Sequence, residues 1–74
     1  MRKRKSPMRL RREGLGLSRR EMAERMGVSA VAINKWEDGD KKPNLDSYIK
    51  LARFFKIDIM KLKNEHDDWR DENA

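Results

Sequence analysis

The stretch of sequence that decides the fold runs from Ser18 to Gly39 and reads SRREMAERMGVSAVAINKWEDG. Ser18, followed three residues later by Glu21, predicts a capping box, in which the two side chains satisfy amide groups at the start of a helix. Gly27 tolerates the left-handed backbone that commonly ends a helix. Ser29 then offers a second N-cap after only one intervening residue. The stretch therefore predicts two short helices joined by a tight turn.

The apolar residues of these two helices recur at helical spacing, so each helix has an inner face. The inner residues of the pair and of its turn are Met22, Ala23, Met26, Val28, Ile33 and Trp36. The residues left on the outward face of the second helix are Ala30, Val31, Asn34 and Lys35. Asp38 and Gly39 then form a turn signal that ends the second helix.

Further helices are predicted on both sides of the pair. Ser6 caps a first helix, with Pro7 at its first position, where a missing amide hydrogen costs nothing. Asn44 caps a fourth helix after a short loop, and Asp58 caps a short fifth helix. The inward residues of the last two helices are Leu45, Tyr48, Leu51, Ala52, Phe55, Ile59 and Leu62. The expected fold class is all-α, with five helices in one compact domain.

Charge is distributed unevenly along the 74 residues. The formal net charge is +6, and residues 1–12 hold seven basic groups and no acid. Residues 64–74 hold five acids and one arginine and show no apolar period, which predicts a frayed, flexible tail. We therefore expect a basic arm at residues 1–6, a folded domain at 7–63 and an acidic tail at 64–74.

Composition argues against several classes of protein. A chain of 74 residues has little room for a substrate pocket, and this one lacks a Gly-rich phosphate loop, a set of metal ligands and a nucleophilic triad. Without cysteine it has no disulfide and no thiolate metal site. No apolar run approaches the roughly 18 residues that a membrane span requires. We expect a soluble, cytoplasmic protein that is not an enzyme and uses no cofactor, metal or membrane.

Residues 17–62 resemble the helix-turn-helix domain of the phage-repressor and Cro type, the XRE-like transcriptional regulators. Several spaced features carry the resemblance together, namely Ala23, Gly27, Ile33, Trp36, the run Trp-Glu-Asp-Gly and Pro43. The resemblance implies a lambda-repressor-like fold in which the helix starting at Ser29 enters the major groove of DNA. It also implies a bacterial or phage-encoded protein that is associated with the nucleoid when bound.

The implied function is a sequence-specific transcriptional regulator, most simply a repressor, that binds double-stranded DNA. A homodimer on a near-palindromic operator is expected, since such domains commonly bind in this way. Base contacts are assigned to the outward face of the second helix. Ala30 and Val31 cannot hydrogen-bond a base and would touch thymine methyl groups, whereas Asn34 suits adenine, and Lys35 suits guanine or a phosphate.

Backbone contacts are assigned to polar and basic residues around the recognition helix, because phosphates attract cations. These residues are Arg9, Arg12, Arg19, Ser29, Lys41 and Lys42. Arg19 stands where such domains often carry glutamine, and Arg9 and Arg12 fit a solvated face equally well. The arm is expected to follow phosphates or the minor groove through Arg2, Lys3, Arg4 and Lys5, with a solvated, disordered arm as the alternative.

A dimer surface is expected on the exposed parts of helices four and five. The candidates are Ile49, Phe54, Ile59, Met60 and Trp69. Trp69 equally fits a disordered tail or packing against its own helices, and His66, the only histidine, is expected to be solvated. A competing hypothesis is an antitoxin-like or anti-repressor interaction module that uses the acidic tail and Trp69 to bind a basic protein.

Overall fold

The computed structural model describes residues 4–73 and contains five helices over that range. Their bounds are α1 (Pro7–Gly14), α2 (Arg19–Met26), α3 (Ala30–Asp38), α4 (Leu45–Phe55) and α5 (Ile59–Asn73). Residues 4–73 form no strand, so the all-α prediction is confirmed. Within the same range no helix has the length and apolar character needed to cross a membrane.

All five helices begin at the N-caps that the sequence predicts, and Oδ2 of Asp58 accepts hydrogen bonds from two backbone N–H groups at the start of α5. The side chains of Ser6, Ser29 and Asn44 each accept a hydrogen bond of 2.8–3.1 Å from the backbone N–H three residues further on. Ser18 and Glu21 form both hydrogen bonds of the predicted capping box, at 3.1 and 3.0 Å. Because each cap contributes about 1 kcal/mol, the helix starts are fixed locally.

Two glycines with left-handed backbone end α2 and α3. Gly27 has φ of 72° and Gly39 has φ of 80°, a region that side chains with a Cβ rarely adopt. The N–H of Val28 donates to the carbonyl of Ala23, which closes the end of α2 and turns the chain toward α3. The tight turn between the two helices is confirmed, and it fixes how α3 is presented.

The core contains one or more residues from each of the five helices. Its buried apolar members are Met8, Met22, Ala23, Ile33, Trp36, Tyr48, Leu51, Ala52 and Leu62. Met26, Val28 and Phe55 are partly buried at its edge. Leu45 was predicted to face inward but is 64% exposed. It is the first residue of α4, and because helical side chains lean toward the N-terminus, its side chain extends past the packed part of the helix.

The prediction of a frayed tail at residues 64–74 is wrong for the described part, because residues 64–73 form the C-terminal two thirds of α5. Leu62, His66 and Trp69 follow one another at spacings of four and three residues, and they are 0%, 0% and 3% exposed. Such spacing places all three on one face of a helix. His66 is therefore buried, and the prediction that it is solvated is wrong. The sequence pattern did not reveal this apolar face because histidine is usually counted as polar. A neutral imidazole can nevertheless pack as a flat ring.

Candidate nucleic-acid interface

The outward face of α3 is open to solvent. Ala30, Val31 and Lys35 are exposed, and Asn34 is half-buried. Val31 is 60% exposed, so its methyl groups are available for apolar contact with a partner. The four residues assigned to base contact thus lie together on the side of α3 that faces away from the core.

Asn34 is oriented by a residue of α2. Its Oδ1 accepts a hydrogen bond of 3.0 Å from Nη1 of Arg19. An amide oxygen has a second lone pair, and Nδ2 retains two donors, so the amide can still accept and donate toward a base edge. Arg19 therefore holds the side chain that is best suited to recognise adenine.

Glu37 joins α1 and α2 to α3 through two arginines. Its carboxylate accepts hydrogen bonds from Arg12 at 2.8 and 3.1 Å and from Arg19 at 3.1 Å. Arg12 also donates to the carbonyl of Leu17 at 2.7 Å. The hydrogen bond with Glu37 raises the pKa of the Arg12 guanidinium above its ordinary value, so this arginine stays charged. The sequence feature that could have predicted this role of Glu37 is its position directly after Trp36, on the inner face of α3.

The two arginines of this cluster differ in their exposure. Arg12 was predicted to contact phosphate, but it is only 7% exposed and its guanidinium is used inside the protein. Arg19 also lies within 3.4 Å of Asp38, and its side chain remains 31% exposed. A partly exposed guanidinium at the start of α2 can still approach a phosphate, whereas the buried one supports the fold.

A shallow concave surface connects α3 to the loop that follows it and to the start of α4. It is lined by predicted contact residues, namely Ser29, Val31, Lys35, Lys41 and Lys42. Asn44 and Ser47 also line it, and the sequence had not singled them out as contacts. Among residues 4–73 no cluster of three or more His, Cys, Asp or Glu side chains could hold a metal ion. The groups that this surface offers are amides, hydroxyls, methyl groups and cations.

Several basic residues assigned to phosphate contact are paired with carboxylates. Nζ of Lys42 lies 3.2 Å from Asp67 of α5, and Arg9 pairs with Glu13 at 3.0 Å. Lys41 is exposed. The hydrogen bonds from Arg9 and Lys5 hold the pKa of Glu13 below its usual value. These pairs lie at the surface, where each contributes little to stability, so the cations remain available to phosphate.

The basic arm is attached to α5. Arg2 and Lys3 lie outside the described residues. Arg4 forms an ion pair with Glu72, and its backbone carbonyl accepts a hydrogen bond of 2.9 Å from Nε1 of Trp69. Lys5 pairs with Glu13 at 3.2 Å.

The residues assigned to a dimer surface fall into two groups. Ile49, Phe54 and Ile59 are half-buried, and Met60 is 56% exposed. Trp69 is 3% exposed and packs within its own chain, which agrees with the alternative that it packs against its own helices and not with a place on a dimer surface. Among these candidates, the exposed apolar area on α4 and α5 therefore comes from the first group alone.

Comparison with known proteins adds a family to this geometry. A family model described as helix-turn-helix matches residues 8–62, which include the whole outward face of α3. The chain is also 39% identical over 51 residues to a protein of Enterococcus faecalis named HTH-type transcriptional activator BcrR. That match covers 69% of this chain and 25% of the relative, so the chain spans a quarter of the relative's length. No solved structure matches the chain significantly.

Proposed function

Because the chain belongs to the helix-turn-helix family of phage-repressor and Cro-type transcription regulators, we propose that it binds double-stranded DNA sequence-specifically through α3. The observation that carries the proposal is the arrangement of the open face of α3. There the amide of Asn34 is oriented by Arg19, beside exposed Val31 and Lys35. This face combines a polar group held in place, apolar groups and a cation, which suits the edge of a major groove.

In the proposed complex the outward residues of α3 have separate tasks. Ala30 and Val31 contact thymine methyl groups, Asn34 pairs with adenine, and Lys35 reaches guanine or a phosphate. Phosphates are bound around α3 by Arg9, Arg19, Ser29, Lys41 and Lys42, and by the basic arm at residues 2–5. Most of the affinity comes from these phosphate contacts, and most of the specificity comes from α3.

We propose repression as the regulatory outcome. Occupying an operator is enough to block transcription, whereas activation requires a further productive contact. The relative from Enterococcus faecalis is named an activator, and it is about four times as long as the segment matched here. A reporter gene placed behind the selected operator tests the direction: lower expression is expected on induction of the protein, and higher expression would contradict repression. We also propose a cytoplasmic location, which suits a DNA-binding regulator.

The proposed complex is a homodimer on a near-palindromic operator. A single short recognition helix buries little surface on DNA, so two copies provide affinity that one lacks. The proposed contact surface is formed by Ile49, Phe54, Ile59 and Met60, which leave apolar area exposed on α4 and α5. Sedimentation at micromolar concentration should show a dimer on operator DNA. Only monomer, with and without DNA, would contradict the proposal.

The experiment that tests DNA recognition is selection of bound duplexes from a random pool at two salt concentrations. We expect one sequence family to be enriched at both concentrations, with two-fold symmetry about its centre. Enrichment of no sequence, together with retention at low salt only, would indicate nonspecific attraction by the basic residues and would contradict sequence-specific binding.

The interaction-module hypothesis is less well supported. It requires Trp69 and the acidic residues of the C-terminal segment to face a partner. Instead Trp69 is buried, and Glu65, Asp67 and Glu72 pair with Arg11, Lys42 and Arg4 of the same chain. Three of the five acids of the segment are thus engaged internally, which favours DNA binding over this alternative.

A further inference from the structure

Two segments outside the family match contact each other, and we propose that one of them positions the other for DNA binding. The family match ends at residue 62, and residues 63–73 of α5, here called the clamp, hold the root of the basic arm at residues 4–6. The clamp acts through Trp69, a positioning residue that touches no DNA. The inference rests on the proposed DNA-binding function.

The clamp forms a hydrogen bond with the main chain of the arm. Nε1 of Trp69 donates a hydrogen bond of 2.9 Å to the carbonyl oxygen of Arg4. Glu72 pairs with the Arg4 guanidinium one turn further along α5. Ser6, which caps α1, is 1% exposed. Because Trp69 binds the backbone carbonyl of Arg4, it fixes the path of the backbone there independently of the Arg4 side chain.

The same indole also lies against the end of the recognition helix. A Cβ added at Gly39, the C-cap of α3, would lie 3.0 Å from Cη2 of Trp69. Asp38, Glu37 and Trp69 line a cleft together with Arg4, Lys5 and Arg9. One edge of a single ring thus fixes the arm while another edge touches α3. This arrangement sets the position of the arm relative to the helix that reads DNA.

The clamp is itself fixed to the domain. His66 is 0% exposed, and its ring centroid lies 5.5 Å from that of Trp69. Glu65 pairs with Arg11 of α1 at 2.8 Å, and Asp67 pairs with Lys42 at 3.2 Å. Contacts to α1 and to the loop after α3 therefore hold the turn of α5 that carries Trp69.

A fixed arm root favours binding because ordering a chain segment on DNA costs conformational entropy. Fixing the backbone of Arg4 before binding removes part of that cost for the cations of the arm. Since a hydrogen bond to a backbone carbonyl has a modest net effect, loss of the Trp69 N–H should weaken operator binding by about three- to tenfold.

The test is a double-mutant cycle between Trp69→Phe and the arm variant Arg2→Ala/Lys3→Ala. Phenylalanine keeps an aromatic ring but lacks the N–H that binds the Arg4 carbonyl. Affinity for a selected operator is measured by fluorescence anisotropy, and folding is checked by thermal melting. We expect Trp69→Phe to weaken binding in the wild-type background and to have a smaller effect when the charges of Arg2 and Lys3 are absent. Equal losses in both backgrounds, or none in either, would overturn the clamp.

Two controls separate the anchor from other effects. Glu72→Gln removes the ion pair of Arg4 but keeps the carbonyl hydrogen bond, so operator affinity should not fall. A loss equal to that of Trp69→Phe would overturn the role of the carbonyl. If Trp69→Phe does not fold, benzothienylalanine at position 69 replaces the N–H by sulfur in a ring system of nearly the same shape. It should reproduce the three- to tenfold loss, and unchanged affinity would overturn the clamp.

Failure of the clamp can be distinguished from failure of the proposed function. If wild-type protein enriches an operator and Trp69→Phe binds that operator equally well, sequence-specific DNA binding is supported and the role of the clamp is contradicted. If wild-type protein enriches no duplex, sequence-specific DNA binding is contradicted, and so is the role of the clamp, which depends on it.

Discussion

At the scale of single residues, His66 shows how burial determines the charge of a side chain. Its imidazole is 0% exposed, and neither ring nitrogen has a hydrogen-bond partner within the described part of the chain. Burial, reinforced by the positive charge of Arg70, lowers its pKa to about 4, while Asp67 opposes the shift. The ring of Tyr48 packs edge-on at 6.2 Å, and burial raises the pKa of that tyrosine to about 12. Both groups are therefore neutral near pH 7.

The buried imidazole predicts a loss of stability in mild acid. The unfolded chain takes up a proton near the ordinary pKa of 6.5, whereas folded His66 takes it up only near 4. Stability is therefore greatest above pH 6.5 and falls as the pH drops toward 4. We expect the free energy of unfolding to fall by about 2 kcal/mol between pH 7 and pH 5.

Urea denaturation of wild type and His66→Leu at the two pH values measures this effect. The variant cannot be protonated at this site, so its free energy of unfolding should change little over the interval, because most carboxylates titrate at lower pH. An equal loss in both proteins would assign the pH dependence to other groups.

At the scale of elements, the two left-handed glycines form a matched pair for testing how α5 packs on α3. Gly27 and Gly39 have similar φ values, so alanine costs about 1–2 kcal/mol of backbone strain at either position. A Cβ at Gly27 meets nothing within 4 Å, whereas one at Gly39 meets Trp69 at 3.0 Å. We expect Gly39→Ala to be more destabilising than Gly27→Ala by about 1–3 kcal/mol, the usual cost of overpacking. Equal melting of the two variants would show that the indole does not pack there.

The Glu37 cluster predicts that α1, α2 and α3 depend on one carboxylate. Replacing Glu37 by glutamine leaves the buried guanidinium of Arg12 without a counter-charge, which should cost about 3–5 kcal/mol in the free energy of unfolding. Glu24→Gln is the control, since its pair with Arg20 is 70% and 87% exposed and should contribute less than about 1 kcal/mol. Urea denaturation measures both variants, and similar small losses would contradict a central role for Glu37.

Element boundaries were predictable where their cause is local. The caps at Ser6, Ser18 and Ser29 and the turn at Gly27 depend on residues within about four positions, and all appear in the structure as expected. The pairing of Arg12 with Glu37 joins residues 25 positions apart, and that of Arg11 with Glu65 joins residues 54 apart. No local rule specifies such partners, so the buried arginine and the packed C-terminal part of α5 emerged only from the three-dimensional arrangement.

At the scale of the whole molecule, the net charge of +6 is unevenly neutralised. Carboxylates of α5 lie next to Arg4, Arg11 and Lys42. No ion pair is formed within residues 4–73 by Lys35 or Lys41, which are exposed on α3 and in the loop after it. These two lysines therefore place positive charge that is not neutralised by an ion pair on α3 and in the loop after it.

This distribution predicts which lysines control the salt dependence of DNA binding. Lys41→Ala/Lys42→Ala should weaken binding to all duplexes alike and reduce the slope of log affinity against log salt by about two. Lys56→Ala/Lys61→Ala, an equal charge change at the junction of α4 and α5, should leave the slope nearly unchanged. Titrations at several salt concentrations distinguish the pairs, and equal reductions would mean that net charge, rather than position, governs affinity.

The most direct test of recognition by α3 is the ratio of specific to nonspecific affinity in Asn34→Ala. Binding to the selected operator and to an unrelated duplex is measured at one salt concentration. The variant should lose about 1–3 kcal/mol on the operator, because the amide contact to a base is removed, while its affinity for the unrelated duplex stays the same. Unchanged binding to the operator, or an equal loss on both duplexes, would contradict recognition of DNA by this face of α3.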